Sequence, residues 1–352
     1  MISAFEHPFL SGLVGDEEMA ALLGIEAEMT AMLRFETALV EAQAELGLIP
    51  GETAKSIAGT IATFKPDMNA LKNGTARDGV VVPDLIRQIR QAVEGPSNYV
   101  HFGATSQDVI DTALVLRVLP CLDLLDRRLA VLAGAFADLS RRFGERLLLA
   151  HTRMQPAMPI RVADRIECWR APLQRCIERL QPLRRSIGVI QFGGAVGTLE
   201  AFGDKGTALR AALAARLNLI DVPQWQSQRD RIAELANWQS LVTGSLGKFG
   251  QDVALMMQTG GAIALAGGGT SSAMTHKQNP VDAEALVTLA RFTATQLSGM
   301  HHALVHEQER SGVAWTLEWL ILPQMLIAVG GSTAVAARLI KRIQTIGHDL
   351  GS

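Results

Sequence analysis

The run Gly267-Gly268-Gly269-Thr270-Ser271-Ser272-Ala273-Met274-Thr275-His276-Lys277-Gln278-Asn279-Pro280 gathers more chemical groups than any other stretch of this chain. Its glycines let backbone N–H groups come close to a ligand. Ser271 and Ser272 offer hydroxyls, Lys277 offers a cation, and Pro280 is suited to start a helix. Such a set can bind a carboxylate, stabilise an enediolate-like intermediate and move a proton. A plain linker would not need Lys, Asn and Pro at these spacings. A phosphate loop would end Gly-Lys-Ser/Thr, and this run does not.

Two further polar connections hold reactive groups. Residues 98–108 include His101, Thr105 and Ser106, and residues 150–159 include His151, Thr152, Arg153 and Gln155. Like the run 266–280, each is expected to precede a long helix. Helix starts present unpaired N–H groups and the positive end of the dipole, which suit carboxylate ligands. His302 and His306 stand four apart, a spacing that can share a metal, but no third ligand is spaced to complete a site. The segment Phe192-Gly193-Gly194-Ala195-Val196-Gly197 lacks the βαβ context of a dinucleotide loop.

The elements that must position these groups are long helices. Apolar residues recur at three- and four-residue spacing over segments 16–46, 107–143, 161–187, 228–259, 280–309 and 312–346. Gly47 and Pro50 stop the first, and Pro120 is expected to bend the second. At about 1.5 Å per residue, thirty residues form a rod of ~45 Å. Rods of that length bury themselves by packing side by side, so the expected fold is all-α, an elongated helix bundle. Residues 1–100 are expected to form an N-terminal helical domain and residues 101–352 the central bundle. Short strand pieces are expected only near Val80 and Ile190.

Composition agrees with such a bundle. Hydrophobic residues make up 48% of the 352 and aromatic residues only 5%, so the core is built from aliphatic side chains that favour helices. The mean hydropathy of +0.18 leaves apolar surface for contacts between subunits. The net charge of −2, with scattered Lys and Arg, suggests neither nucleic acid nor an anionic membrane as partner. The uncharged stretch 253–275 is full of Gly, Ser and Thr, and 319–337 contains Pro323 and Gly330-Gly331. Both are read as helices buried in an oligomer rather than membrane spans. Three cysteines without a CxxC pair, and no signal-peptide pattern, point to a reducing, cytoplasmic setting.

The run at 267–280 resembles the signature loop of the fumarase/aspartase superfamily, Gly-Ser-Ser-x-Met-Pro-x-Lys-x-Asn-Pro. Ser271, Ser272, Met274, Lys277, Asn279 and Pro280 match it, while Thr270 and Thr275 depart. His101-Phe102-Gly103-Ala104-Thr105-Ser106-Gln107-Asp108, followed by Asp111-Thr112, is similar to the superfamily's first region. His151-Thr152-Arg153-Met154-Gln155-Pro156-Ala157 stands where the family has Arg-Thr-His-x-Gln-x-Ala. The usual catalytic His therefore falls on Arg153, which cannot shuttle a proton near neutral pH. The second His of adenylosuccinate lyases is missing from residues 76–81. Within the superfamily, the chain resembles the 3-carboxy-cis,cis-muconate cycloisomerase branch. That likeness rests on Gln191 to Leu199, on Trp225 to Glu234, and on His306-Glu307-Gln308-Glu309-Arg310 with Trp315 and Trp319.

The resemblance implies a cofactor-free, metal-free enzyme that closes a muconate tricarboxylate into a lactone, within protocatechuate catabolism. It places the proton transfer on Ser271, with His101 or His276 as its partner, and puts Lys277 and Arg153 in catalytic positions. Thr105, Ser106, Thr152, Gln155, Arg229, Arg231, Ser272, Met274, His276 and Asn279 are the expected substrate contacts. It further implies a homotetramer whose sites are shared between subunits. The chain is expected to lack most of the superfamily's small C-terminal domain. Two other readings are a fumarate-releasing lyase of the same superfamily and a crystallin-like structural protein.

Overall fold

The computed structural model describes residues 3–270, 274 and 278–348. Asp16 caps the chain's first sustained helical stretch: its side chain accepts the Met19 N–H at 2.8 Å, and Glu17 and Glu18 face the positive helix end. The short helix α1 (Ser11–Val14) is followed by α2 (Glu17–Leu23), α3 (Ile25–Glu45), α4 (Gly51–Thr63), α5 (Met68–Asp78) and α6 (Val82–Ala92). Segment 16–46 is therefore two helices rather than one. Gly24 takes an extended conformation (ψ 169°) that separates α2 from α3, as a residue with low helix propensity readily does.

Six long helices then carry the architecture. They are α3, α7 (Ser106–Phe143), α8 (Val162–Ile187), α10 (Asp230–Thr259), α11 (Val281–His302) and α12 (Val313–Arg342), with the shorter α9 (Gly206–Leu217) beside α3. The 38 residues of α7 reach about 57 Å at 1.5 Å per residue. Pro120 lies inside it and the helix runs on through. The most extensive helix contact joins α10 to α11. A Cβ at Gly247 would stand 2.5 Å from the Ala290 Cβ, and one at Gly250 would stand 2.5 Å from the Ala283 carbonyl. Trp169, Phe136 and Phe249 interlock where α7, α8 and α10 meet, with centroids 5.0 to 6.1 Å apart. One hydrophobic cluster links α3, α7, α8, α10 and α12. The helix α12 is long and apolar enough to cross a membrane, yet 67% of its apolar window is buried inside the fold.

Several boundaries differ from the periodicity. The helix α11 ends at His302 rather than near residue 309, and His306 sits in the loop beyond it. His302 and His306 therefore share no helical face. The helix α12 ends at Arg342, and Ile343–Ile346 is a strand, β6. The largest departure is a hairpin, β1 (Leu147–Thr152) with β2 (Gln155–Arg161), where the sequence suggested only a polar link to α8. Its two-residue turn places Arg153 (φ 49°) and Met154 (φ 65°) in the left-handed region. Arg-Met is not the Asn-Gly or Asp-Gly pair that usually marks such a turn, so the hairpin carries no local signal. Val80 lies in the turn before α6, while Val189 beside Ile190 makes a single bridge to Ile220.

Candidate active site

The first polar connection folds onto the start of α7 around one buried carboxylate. Asp108 accepts the Thr105 N–H (3.0 Å), the Gly193 N–H (2.8 Å), the Gly194 N–H (3.0 Å) and the Gln191 Nε2 donor (3.1 Å). Asp108 thus ties the glycine-rich segment to the helix turn that presents Thr105 and Ser106. A small cavity of about 110 Å³ opens there, lined by Gly103, Ala104, Gly194 and Ala195 among others. Gly103 is required: its φ is +72°, and a Cβ would fall 2.2 Å from the Phe202 ring. His101, itself at φ 60°, places Nδ1 2.6 Å from the buried Glu36 Oε1. With the carboxylate as acceptor, Nδ1 carries the hydrogen and Nε2 is left for proton exchange.

Burial pushes the Asp108 carboxyl up to about 6, while its N–H donors work in the opposite direction. A native value above the unfolded 3.8 means that the stability this group contributes is full below about pH 4. That contribution is lost as pH rises toward 6. The stability advantage of the wild type over Asp108→Asn should therefore shrink by about 2 kcal/mol between pH 4 and pH 7, at 1.36 kcal/mol per pK unit. Denaturant titrations at the two pH values measure it, and an advantage that grows with pH would contradict the assignment.

Arg229 lies in the protein interior. It is buried in an ion triad, donating to Asp111 from Nη1 (2.6 Å) and Nη2 (3.1 Å), and to Glu318 from Nε (2.9 Å) and Nη2 (2.5 Å). Burial opposes the guanidinium's charge, but Asp111 and Glu318 outweigh it and raise its pKa. Burial would likewise raise the Glu318 carboxyl, and the hydrogen bonds from Arg229 bring it below the ordinary value instead. Trp315 Nε1 donates to Asp111 (3.0 Å), and the Gln107 amide donates to Asp111 (3.1 Å) and to the Gln226 carbonyl (2.7 Å). His306 lies buried with Nε2 3.6 Å from Glu318 Oε1. Arg231 is turned to the Ser186 carbonyl, at 2.6 Å. The expectation that Arg229 or Arg231 supplies a cation to substrate is thus corrected for Arg229, whose donors are all directed at the triad.

Arg310 brings another guanidinium to the start of α7. Its Nε donates to Gln107 Oε1 (3.1 Å) and its Nη2 to the Ala195 carbonyl (3.2 Å), yet the residue is exposed overall. A cation therefore stands between the first turn of α7 and the glycine-rich segment. Sequence spacing offered no signal for it, because Gln107 lies 203 residues away.

The other two regions lie elsewhere on the subunit. Thr152, Arg153 and Gln155 sit at the exposed tip of the β1–β2 hairpin, not at a helix start. At about 3.4 Å per residue, the six residues of β1 set that tip ~20 Å from its root. Asn279 belongs to β5 (Gln278–Asn279), which pairs with β4 (Gly269–Thr270), so that Gly269 stands opposite Asn279. The glycines here serve close packing of the two stems: a Cβ on Gly269 would meet the Val281 side chain at 2.4 Å. Met274 is exposed. Ser271, Ser272, His276 and Lys277 lie outside the described residues. Among the described residues, no hydrogen bond or ion pair joins the hairpin tip or the β4–β5 stem to the start of α7.

A family model described as lyase matches residues 18–294. The chain is 37% identical over 335 residues to the 3-carboxy-cis,cis-muconate cycloisomerase of Pseudomonas aeruginosa, covering 93% of this chain and 73% of that one. It is 31% identical over 339 residues to the N-acetyl-S-(2-succino)cysteine lyase of Enterococcus italicus, again 93% of this chain and 73% of that one. Among solved structures, the 3-carboxy-cis,cis-muconate lactonizing enzyme from Pseudomonas putida superposes with a TM-score of 0.91. The identity is 34%, over 96% of this chain and 77% of that one.

Proposed function

Because the chain belongs to the lyase family of the fumarase/aspartase superfamily, we propose that it is a cycloisomerase that closes 3-carboxy-cis,cis-muconate to 4-carboxymuconolactone. The observation that carries this reading is the 37% identity to a cycloisomerase of that name over nearly the whole chain. In the reaction a carboxylate oxygen adds to one carbon of a double bond, and a proton goes to the neighbouring carbon, α to another carboxylate. No atom is gained or lost. In reverse it is a β-elimination whose leaving group stays tethered.

A trianion requires cations. Arg153 at the hairpin tip, Lys277 and Arg310 supply them in this reading, with Arg310 replacing Arg229. Thr105, Ser106, Thr152, Gln155 and Asn279 hold carboxylate oxygens, and Ser271 transfers the proton. His101, oriented by Glu36, is the favoured partner because its Nε2 remains available. This reading makes the protein a cytoplasmic homotetramer with shared sites. Two observations support the sharing. The 110 Å³ cavity beside Thr105 is well below the roughly 300 Å³ of a small-molecule pocket. The exposed hairpin tip also contributes no residue to that cavity's lining.

The relative that carries the name N-acetyl-S-(2-succino)cysteine lyase supports a second reading, an intermolecular elimination. Incubation with 3-carboxy-cis,cis-muconate and, separately, with a succinylated thioether separates the two. Loss of muconate absorbance with lactone identified as product is the expected result. Inert muconate together with thioether cleavage would replace the proposal with the second reading.

A further inference from the structure

The last described segment of the chain is tied to both ends of the run that carries Asn279. On the entry side, β6 pairs antiparallel with β3 (Ile263–Leu265), setting Ile263 opposite Ile346 and Ala264 opposite Thr345. The ladder continues past both strands, since Ala266 N–H donates to the Arg342 carbonyl (2.7 Å) and Gly347 N–H to the Ala262 carbonyl (2.9 Å). On the exit side, Asp282 stands three residues beyond Asn279 in the first turn of α11 and is 5% exposed. Arg338 (3.2 Å) and Arg342 (2.9 Å), one turn apart on α12, each form an ion pair with it. Arg342 therefore holds the entry through its carbonyl and the exit through its side chain.

A third tie reaches the hairpin. Leu147, the first residue of β1, exchanges N–H groups with His348 at 3.0 and 2.9 Å, and the Arg146 guanidinium donates to the Thr345 hydroxyl. Gly347 makes this approach feasible. Its φ is +70°, and a Cβ there would stand 2.6 Å from both the Leu147 carbonyl and a Val162 methyl. A ladder of three or four residues is weak by itself, so the ion pairs on the buried Asp282 matter to the geometry.

We propose that residues 342–348, together with Arg338, form a clasp that fixes Asn279 and the root of the Thr152–Arg153 hairpin relative to one another. Arg342 is its positioning residue and acts on substrate through Asp282 and Asn279. The inference rests on the catalytic reading of Asn279 and the hairpin given above. It concerns a segment to which that reading assigns no role.

The test compares the wild-type assembly with Arg338→Ala/Arg342→Ala and with Arg338→Ala/Arg342→Lys, by hydrogen exchange and by kinetics. In the double-alanine variant, amides of residues 262–266 and 278–284 should exchange about tenfold faster, while those of α7 and α10 keep their protection. The same variant should lose between about 10- and 100-fold in kcat/KM, the scale of an ångström-level misplacement, with a raised KM. The lysine variant should recover most of both effects. Unchanged exchange, a uniform rise over the whole chain, unchanged kcat/KM despite faster exchange, or a lysine variant no better than alanine would each overturn the clasp. If the wild type does not turn over muconate, the cycloisomerase reading fails, while the exchange data still decide the clasp.

Discussion

Arg229→Ala should destabilise the fold by about 3–5 kcal/mol, the scale seen when one partner of a buried ion pair is removed. The variant would leave Asp111 and Glu318 facing each other in the interior with no cation between them. Among the described residues, Trp315 and Gln107 would still donate to Asp111, and the buried His306 would remain near Glu318. The damage should spread to the site, because Asp111 lies one turn along α7 from Gln107, which receives Arg310. Arg229→Lys should recover part of the stability, since it restores a charge but not the fork that reaches both carboxylates. Chemical denaturation together with the oligomeric state measures this. An Arg229→Ala variant that unfolds like the wild type and only raises KM would return Arg229 to the role of substrate contact.

Ser271→Ala should lower turnover by roughly 10²–10⁴, as expected for loss of a general acid–base group, with folding and assembly intact. Thr152→Ala should also be impaired, by loss of a carboxylate contact at the hairpin tip. If sites are assembled from different chains, unfolding the two variants together and reassembling them should restore part of the activity. Mixed tetramers would then contain some sites with neither substitution. The geometry supports this arrangement, since Thr152 projects on a hairpin while Thr105 lies at the root of α7. Near-wild-type turnover in Ser271→Ala would remove the serine from proton transfer. Failure to regain activity in verified mixed tetramers would sink the shared site.

The long helices were legible in the sequence because helix formation is decided locally. Apolar residues at three- and four-residue spacing, the Asp16 cap and the Thr105–Asp108 pair at the start of α7 all act within a turn or two. The order of the three polar connections, and the residue types they carry, could be read in the same way. Tertiary structure alone decided which arginine is tied up inside the protein. Arg229 and Arg231 look alike in sequence. Folding brings Asp111 from 118 residues away and Glu318 from 89 residues away onto Arg229. It also sets Arg310 against Gln107 and Arg342 against both Ala266 and Asp282. The β1–β2 hairpin and the β3–β6 pair were hidden for the same reason. A strand is stabilised by its partner across the ladder; the Arg153-Met154 turn announces no hairpin, and the β-branched residues of Ile343–Ile346 continue the apolar helical spacing of the segment before them. Charge pairing and strand pairing depend on how distant segments pack, and that information lies in no local window of the chain.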